Sequence, residues 1–233
     1  PDDCQVQTIV PRGMDPHIYE PTPSDIELVL QSDLIFVNGL RLEGWLNKVI
    51  SNAGTHGEKV IVTEGIPPIT SLEYENAPDP HAWMNLSFGL TDVDNMRQAL
   101  AKLMPDHISE IQENYDIYSD KIRELDAYVR RQIQRIPKEN RVLITSHDAF
   151  QYFGRAYGLE LHAAMGLSTD ADVKTGDMIG ITRLLETRSI PAIFIESTIN
   201  PKLLEQIASD YGVEIGGELY ADALSHVNGP AGT

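Results

Sequence analysis

Seven histidines are spread through the chain, at His17, His56, His81, His107, His147, His162 and His226. Three of them share a local grammar: His17 in Gly13-Met14-Asp15-Pro16-His17, His81 in Asp79-Pro80-His81-Ala82-Trp83, and His147 in Thr145-Ser146-His147-Asp148. Each is expected where a loop or strand gives way to a helix. Proline fixes its own φ and drives the preceding residue extended, so Asp-Pro-His presents its imidazole from a stiff loop. Rigid presentation is what metal coordination demands. His147 follows the apolar run Val142-Leu143-Ile144, which places it at the carboxyl end of a strand, where open α/β sheets bind ligands. The Asp-Pro-His motifs and this third histidine point to one shared site. Spacings of about 65 residues exclude a short-spacing zinc finger and fit ligands converging from separate strand-to-helix loops.

A fourth ligand is expected from the far end of the chain. Asp222, in Gly216-Gly217-Glu218-Leu219-Tyr220-Ala221-Asp222, follows the last strand, and the paired glycines allow close backbone approach there. Glu218 and His226 compete for the role. Glu196 ends the strand Ile193-Phe194-Ile195 and is read as either a ligand or a group that orients one. The remaining histidines read as bland: His56 lies in a turn-rich loop, His107 in the first turn of a helix, and His162 in a short strand where packing is the expected role.

Composition narrows the chemistry. The formal charge of -17 repels phosphate backbones and anionic membranes and concentrates cations, so nucleic acid is not an expected partner. Cys4 is the sole cysteine, so an intramolecular disulfide, a thiolate zinc cluster and a Cys-based redox pair are all excluded. A bound metal must use mainly nitrogen and oxygen. Cys4 itself is expected as a small, half-buried strand residue. Hydrophobic residues at 42% and charged residues at 23% are ordinary globular values, with no apolar run near the ~18 residues a membrane span needs.

The elements that would position these residues follow from apolar rhythm. Short apolar runs alternate with amphipathic segments at residues 6–10, 24–32, 34–37, 40–52 and 59–62, which implies βαβ units and a first α/β lobe. The pattern resumes at 141–145, 148–157, 159–163, 177–187, 192–196, 201–211 and 213–215, giving a second. Between them, residues 85–136 read as helical, with Pro105 ending or kinking the first part. In the second part Ile108, Ile111, Tyr115, Tyr118, Ile122, Leu125, Val129, Ile133 and Ile136 recur at spacings of three or four. That predicts a helix of about 30 residues, roughly 45 Å long, crossing between the lobes. The expected divisions are 1–84 for the first lobe, 85–137 for the helical region and 138–233 for the second lobe.

Several long motifs, in order, carry a resemblance to a known family. They are Gly13-Met14-Asp15-Pro16-His17-Ile18-Tyr19-Glu20-Pro21-Thr22-Pro23-Ser24-Asp25, Val37-Asn38-Gly39-Leu40-Arg41-Leu42-Glu43, Asp79-Pro80-His81-Ala82-Trp83-Met84, Ser146-His147-Asp148-Ala149-Phe150-Gln151-Tyr152-Phe153, Phe194-Ile195-Glu196-Ser197-Thr198-Ile199-Asn200-Pro201 and Ile215-Gly216-Gly217-Glu218-Leu219-Tyr220-Ala221-Asp222. The chain resembles the TroA-like receptors of bacterial ABC importers for zinc and manganese. The resemblance implies two α/β lobes joined by one long rigid helix and a single metal ion at their interface. It assigns His17 and His81 as first-lobe ligands and His147 and Asp222 as second-lobe ligands. It further implies no enzymatic activity, delivery of the ion to an ABC permease, a monomer, and a place in the periplasm or on the outer face of the cell membrane, and it leaves open whether the full-length form carries a lipid anchor. Family members usually begin with a strand and helix before the position of Pro1 and continue into a helix after Thr233, so this chain is expected to be shortened relative to them.

The choice of metal is contested within the sequence. Three imidazoles and a carboxylate suit tetrahedral Zn²⁺, whereas Mn²⁺ prefers more oxygen and a higher coordination number. Against zinc, the resemblance leads one to expect a His-rich acidic loop before the second ligand, and residues 64–80 contain no histidine. Manganese members often carry Glu where this chain has His147. Two other readings remain: a metal-dependent hydrolase with an open zinc position, and an adhesin-like protein that keeps the fold without metal traffic.

Overall fold

The structure is a computed structural model, and it describes residues 4–71, 76–170, 173 and 175–232. The first lobe is built from α1 (Pro23–Gln31), β1 (Leu34–Val37), α2 (Leu46–Ala53) and β2 (Glu58–Ile61), with β1 and β2 parallel and Leu34 opposite Glu58. Pro23 sits in the first turn of α1, where its missing N–H costs nothing. Asp25 accepts hydrogen bonds from the Thr22 amide at 2.7 Å, the Thr22 hydroxyl at 2.8 Å and Tyr19 at 2.9 Å. Burial pushes its carboxyl up, and these bonds outweigh it and hold the group below the usual range. Val29, Ile35, Val37, Leu46 and Val49 form the core of this lobe.

The helix foreseen from residue 40 begins only at Leu46, because Gly39, Leu40 and Arg41 take φ values of 84°, 50° and 71°, and a left-handed run cannot propagate a right-handed helix. The strand foreseen at residues 6–10 does not form. Val6 is 88% exposed and only Ile9 of that run packs on the core, too little apolar burial to hold the segment against a sheet edge. Cys4 is half-buried as expected but outside any strand, its Sγ 3.2 Å from Met104 Sδ. A two-residue antiparallel pair, β3 (Thr70–Ser71) with β4 (Ala77–Pro78), was not foreseen, and it delivers the chain to Asp79.

Helices α3 (Leu86–Leu103) and α4 (Ile108–Gln134) follow, separated by a single 3₁₀ turn that opens on Pro105. They pack antiparallel, with the Arg97 guanidinium 5.3 Å from the Tyr115 ring centre. Helix α3 is tied to the first lobe: the Asn95 side-chain amide donates to Val62 O and Glu64 O at 2.7 and 3.0 Å. Helix α4 reaches the second, where Arg130 donates to Ala156 O at 3.0 Å and Tyr157 donates to Asp126 at 2.8 Å. At 27 residues it is about 40 Å long. The foreseen apolar stripe is partly wrong. Tyr118 and Leu125 are 54% and 47% exposed, and the inward face passes through Ser119 and Asp126 instead. Small Ser119 lets α3 approach closely, and Asp126 is satisfied by Arg130 and Tyr157.

Asp92 on α3 is buried, and its Oδ1 has no hydrogen-bond partner. Burial pushes its carboxyl up to about 7. The folded state therefore holds this proton more tightly than the unfolded chain, and stability falls as pH rises from about 4 to about 7. Asp92→Asn is expected to stabilise the protein above pH 7 by on the order of 2 kcal/mol, with little gain at pH 4. Urea unfolding at the two pH values checks this; equal midpoints for variant and parent at pH 8 would refute it.

The second lobe runs β5 (Val142–Thr145), α5 (Gln151–Tyr157), β6 (Glu160–Ala163), α6 (Thr175–Thr187), β7 (Ala192–Glu196), α7 (Lys202–Tyr211) and β8 (Glu214–Leu219). The pairs β5/β6 and β7/β8 are parallel, the latter with a bulge between Ile193 and Phe194, and β7 lies alongside β5. Ile144, Ile181, Ile193, Leu204 and Ile207 fill the core. Helix α5 starts three residues later than foreseen, because the Asp148 amide is drawn to Gly166 O and the Ala149 amide to His147 O. Gly154 lets α5 lie directly on β6: a Cβ there would collide with the Leu161 side chain. Among the described residues no helix is long and apolar enough to cross a membrane.

Candidate metal centre

Both Asp-Pro-His segments close in the same way. The Asp15 carboxylate accepts the His17 amide at 2.9 Å, and the Asp79 carboxylate accepts the His81 amide at 2.9 Å. Proline stiffens each segment, and the aspartate two residues before the histidine then locks it as an Asx turn. Asp79 does more: its Oδ1 also lies 2.7 Å from His81 Nδ1, which turns Nε2 outward. This aspartate's role was missed in the sequence, where only the proline was credited; the signal that could have found it is an Asp two residues before the histidine, whose side chain can reach forward to the amide. Further bonds hold the loops, with Trp45 donating to Pro16 O at 2.8 Å and Asn38 to Pro80 O at 2.9 Å.

His147 sits just past β5, as expected. Glu196, the last residue of β7, accepts its amide at 2.8 Å and places Oε2 2.6 Å from its Nδ1. Asp222 follows β8 in the loop that leaves the second sheet pair. The four side chains meet: His17, His81, His147 and Asp222 each offer one donor atom, all within 4.8 Å of one another. His81 and His147 are fully buried, and the His17 and Asp222 side chains are 4% and 0% exposed.

The other candidates fall elsewhere. Glu196 orients His147 and lies outside the cluster. Glu218 is exposed and accepts a hydrogen bond from Tyr220, and His226 is exposed. His162 pairs with Glu160, and His107 with Glu110.

Geometry and charge describe what the cluster can do. The Nε2 atoms of His17 and His81 are 3.2 Å apart, and those of His81 and His147 are 3.3 Å apart. Asp222 Oδ2 lies 3.1 Å from His147 Nε2, and Oδ1 lies 3.6 Å from His81 Nε2. Ligands about 2.05 Å from a tetrahedral Zn²⁺ stand about 3.3 Å from each other, which the His17–His81, His81–His147 and His147–Asp222 separations match, while His17 Nε2 lies 3.8 Å from Asp222 Oδ2. Both Asp222 oxygens are buried without a hydrogen bond of regular geometry, as a carboxylate awaiting a cation would be. The outer partners, Asp79 on His81 and Glu196 on His147, fix ring orientation in the carboxylate–histidine manner typical of metal sites.

Burial, reinforced by the neighbouring imidazoles and opposed by Asp222, pushes His17 down to about 4, so it offers a free lone pair at neutral pH. Burial also opposes charge on His147, but the Asp222 and Glu196 carboxylates outweigh it and push that group up to about 10. Asp222 is held below the usual carboxylate range: burial alone would raise it, and His147, His81 and His17 overcome that. A metal arriving at pH 7 must therefore displace the His147 proton. Binding is expected to release about one proton, and affinity to rise with pH up to about 10. Calorimetry in two buffers of different ionisation enthalpy measures this directly; identical heats in both would show that no proton leaves.

Two α/β lobes spanned by one long helix, with a buried histidine–carboxylate cluster between them, define a two-lobed receptor for a small cation. Comparison with known proteins places the chain more narrowly. The model of the family described as ZnuA, zinc-uptake complex component A, periplasmic, matches residues 1–233, and the chain belongs to that family. It is 38% identical to the zinc-binding protein TroA of Treponema pallidum (strain Nichols) over 237 residues, covering 99% of this chain and 77% of the relative. It is 33% identical to the manganese-binding lipoprotein MntA of Bacillus subtilis (strain 168) over 236 residues, covering 98% and 77%. A manganese-bound variant of a periplasmic metal binding protein from candidatus liberibacter asiaticus superposes with a TM-score of 0.91 at 32% identity, covering all of this chain and 86% of that one.

Proposed function

We propose that the chain captures one divalent transition-metal ion through His17 Nε2, His81 Nε2, His147 Nε2 and the Asp222 carboxylate, and passes it to an ABC permease. The observation that carries this is the convergence of three imidazole nitrogens and a carboxylate within 4.8 Å, with the His81, His147 and Asp222 side chains fully buried and both Asp222 oxygens lacking a hydrogen bond of regular geometry. Each half of the chain supplies two ligands, so the ion is released when the halves part. We read the chain as residues 1–84, 85–137 and 138–233, with α4 as the crossing element.

Zinc is the favoured ion. Three nitrogens and one oxygen at tetrahedral spacing suit Zn²⁺. Manganese is supported by one observation: both Asp222 oxygens are free to bind together, which would raise the coordination number. Competitive titration with zinc and manganese of protein purified without chelator decides between them. Binding of neither ion would sink the receptor reading.

A hydrolase reading fits less well. A zinc hydrolase keeps an open position with water beside a free carboxylate, and here Glu196 is occupied by the His147 backbone amide and stands 2.6 Å from His147 Nδ1. The charge of -17 argues against nucleic acid as a partner. We place the protein outside the cytoplasm as a monomer, held near its permease by a lipid anchor in the full-length form, by analogy with relatives named as lipoproteins.

A further inference from the structure

Among the described residues, no side chain from outside the cluster holds the Asp222 carboxylate. His81 has Asp79, His147 has Glu196, and the His17 loop has Asp15. The Asp222 loop is instead held at two points that flank it, by Trp83 just after His81 and by Arg12 shortly before His17. On one flank the Trp83 indole N–H donates to Ala221 O at 3.0 Å. On the other, Arg12 Nη1 donates to Ser225 O at 3.2 Å and Gly232 O at 2.8 Å. Between those carbonyls the loop is closed on itself, because the Ser225 amide donates to Ala231 O at 2.9 Å and the Ala231 amide to Ser225 Oγ at 3.0 Å. Ala221 is buried in a cluster that also takes in Met84, Trp83's neighbour.

Trp83 is placed to couple two ligands. It lies in the 3₁₀ turn Ala82–Met84 that immediately follows His81, and its ring stands edge-on to the His81 imidazole with centres 5.3 Å apart. The same indole therefore buttresses one histidine and holds the backbone next to the carboxylate ligand.

Building on the receptor reading above, we propose that Trp83 and Arg12 are positioning residues that latch the Asp222 loop across the cleft and thereby set the rate at which the ion leaves. Opening the cleft must break the Trp83 bond to Ala221 and the Arg12 bonds to Ser225 and Gly232 before Asp222 can withdraw. Neither side chain touches the ion. Weakening the latch lowers the barrier to withdrawal and leaves the encounter with the ion unchanged, so the effect falls on dissociation rather than association.

The test is stopped-flow release of zinc into excess chelator, with association followed separately. Trp83→Phe keeps the ring and removes the N–H; it should release zinc about five- to tenfold faster, with association unchanged, as loss of one hydrogen bond implies. Arg12→Ala, at an exposed position, should accelerate release in the same direction and serves if Trp83→Phe fails to fold. In an Asp222→Asn background Trp83→Phe should add little, because the ligand it serves is already weakened. A wild-type release rate in both single variants would overturn the latch. So would an acceleration by Trp83→Phe that is undiminished in the Asp222→Asn background, since the indole would then act by another route. Wild-type protein that takes up no zinc would instead overturn the receptor reading, and the latch with it.

Discussion

His147→Ala is expected to weaken zinc binding by about two to three orders of magnitude. Sites of this kind bind zinc with roughly 10–16 kcal/mol, so one ligand in four accounts for about 2.5–4 kcal/mol, or about 10²–10³-fold. The variant also strips the partner from two buried carboxylates, Glu196 and Asp222. In the metal-free protein the His147 proton offsets their charge, since the group is pushed up to about 10. Its folded pKa lies above the unfolded value of about 6.5, so its stabilising contribution is complete below pH 6.5 and fades as pH rises through 10. Removing His147 should therefore destabilise the metal-free protein at pH 6 and much less at pH 10. Calorimetric titration with zinc and melting curves at the two pH values read both effects. Unchanged affinity would remove His147 from the ligand set. As a control, His56→Ala, remote from the cluster, should bind zinc as the parent does.

Zinc itself should raise the melting temperature by about 10 °C. The four proposed ligands lie on segments far apart in the sequence, so the unfolded chain has no preformed site and the ion should bind the folded state alone. At a free concentration of 1,000 times Kd the stabilisation is about 4 kcal/mol, and a chain of this size gains about 2–4 °C per kcal/mol. Scanning calorimetry with and without zinc checks this at pH 7. The shift should shrink as the solution is acidified, because protons then compete for the same nitrogens. A flat response to added zinc would favour a fold that has lost metal traffic.

Much of this was readable before any coordinates. The strand rhythm at 34–37, 141–145 and 192–196 matches β1, β5 and β7 to within one residue, because buried parallel strands are short unbroken apolar runs. His17 and His81 stood out because proline stiffens their loops, and His147 because it follows an apolar strand. Failures came where the outcome depended on a distant neighbour. Residues 6–10 have strand-like composition but no sheet edge that takes them up. Tyr118 and Leu125 keep helical spacing yet face outward, because α3 approaches α4 along the line of Ser119. The delayed starts of α2 and α5 depend on backbone angles and on amides captured from elsewhere in the chain.

By itself the sequence determined the α/β class, the crossing helix, the nitrogen-and-oxygen chemistry of a chain with one cysteine, and three of the four site residues from their local grammar. The resemblance pointed to Asp222, and the tertiary structure brings Asp222 to the three histidines while leaving Glu218 and His226 exposed and Glu196 behind His147. A carboxylate's role depends on which atoms stand within about 3 Å of it, and the Glu196 and Asp222 backbones are brought to His147 by two different strands. Local rules reach a few residues along the chain; the latch of Trp83 on Ala221, 138 residues away, lies beyond them.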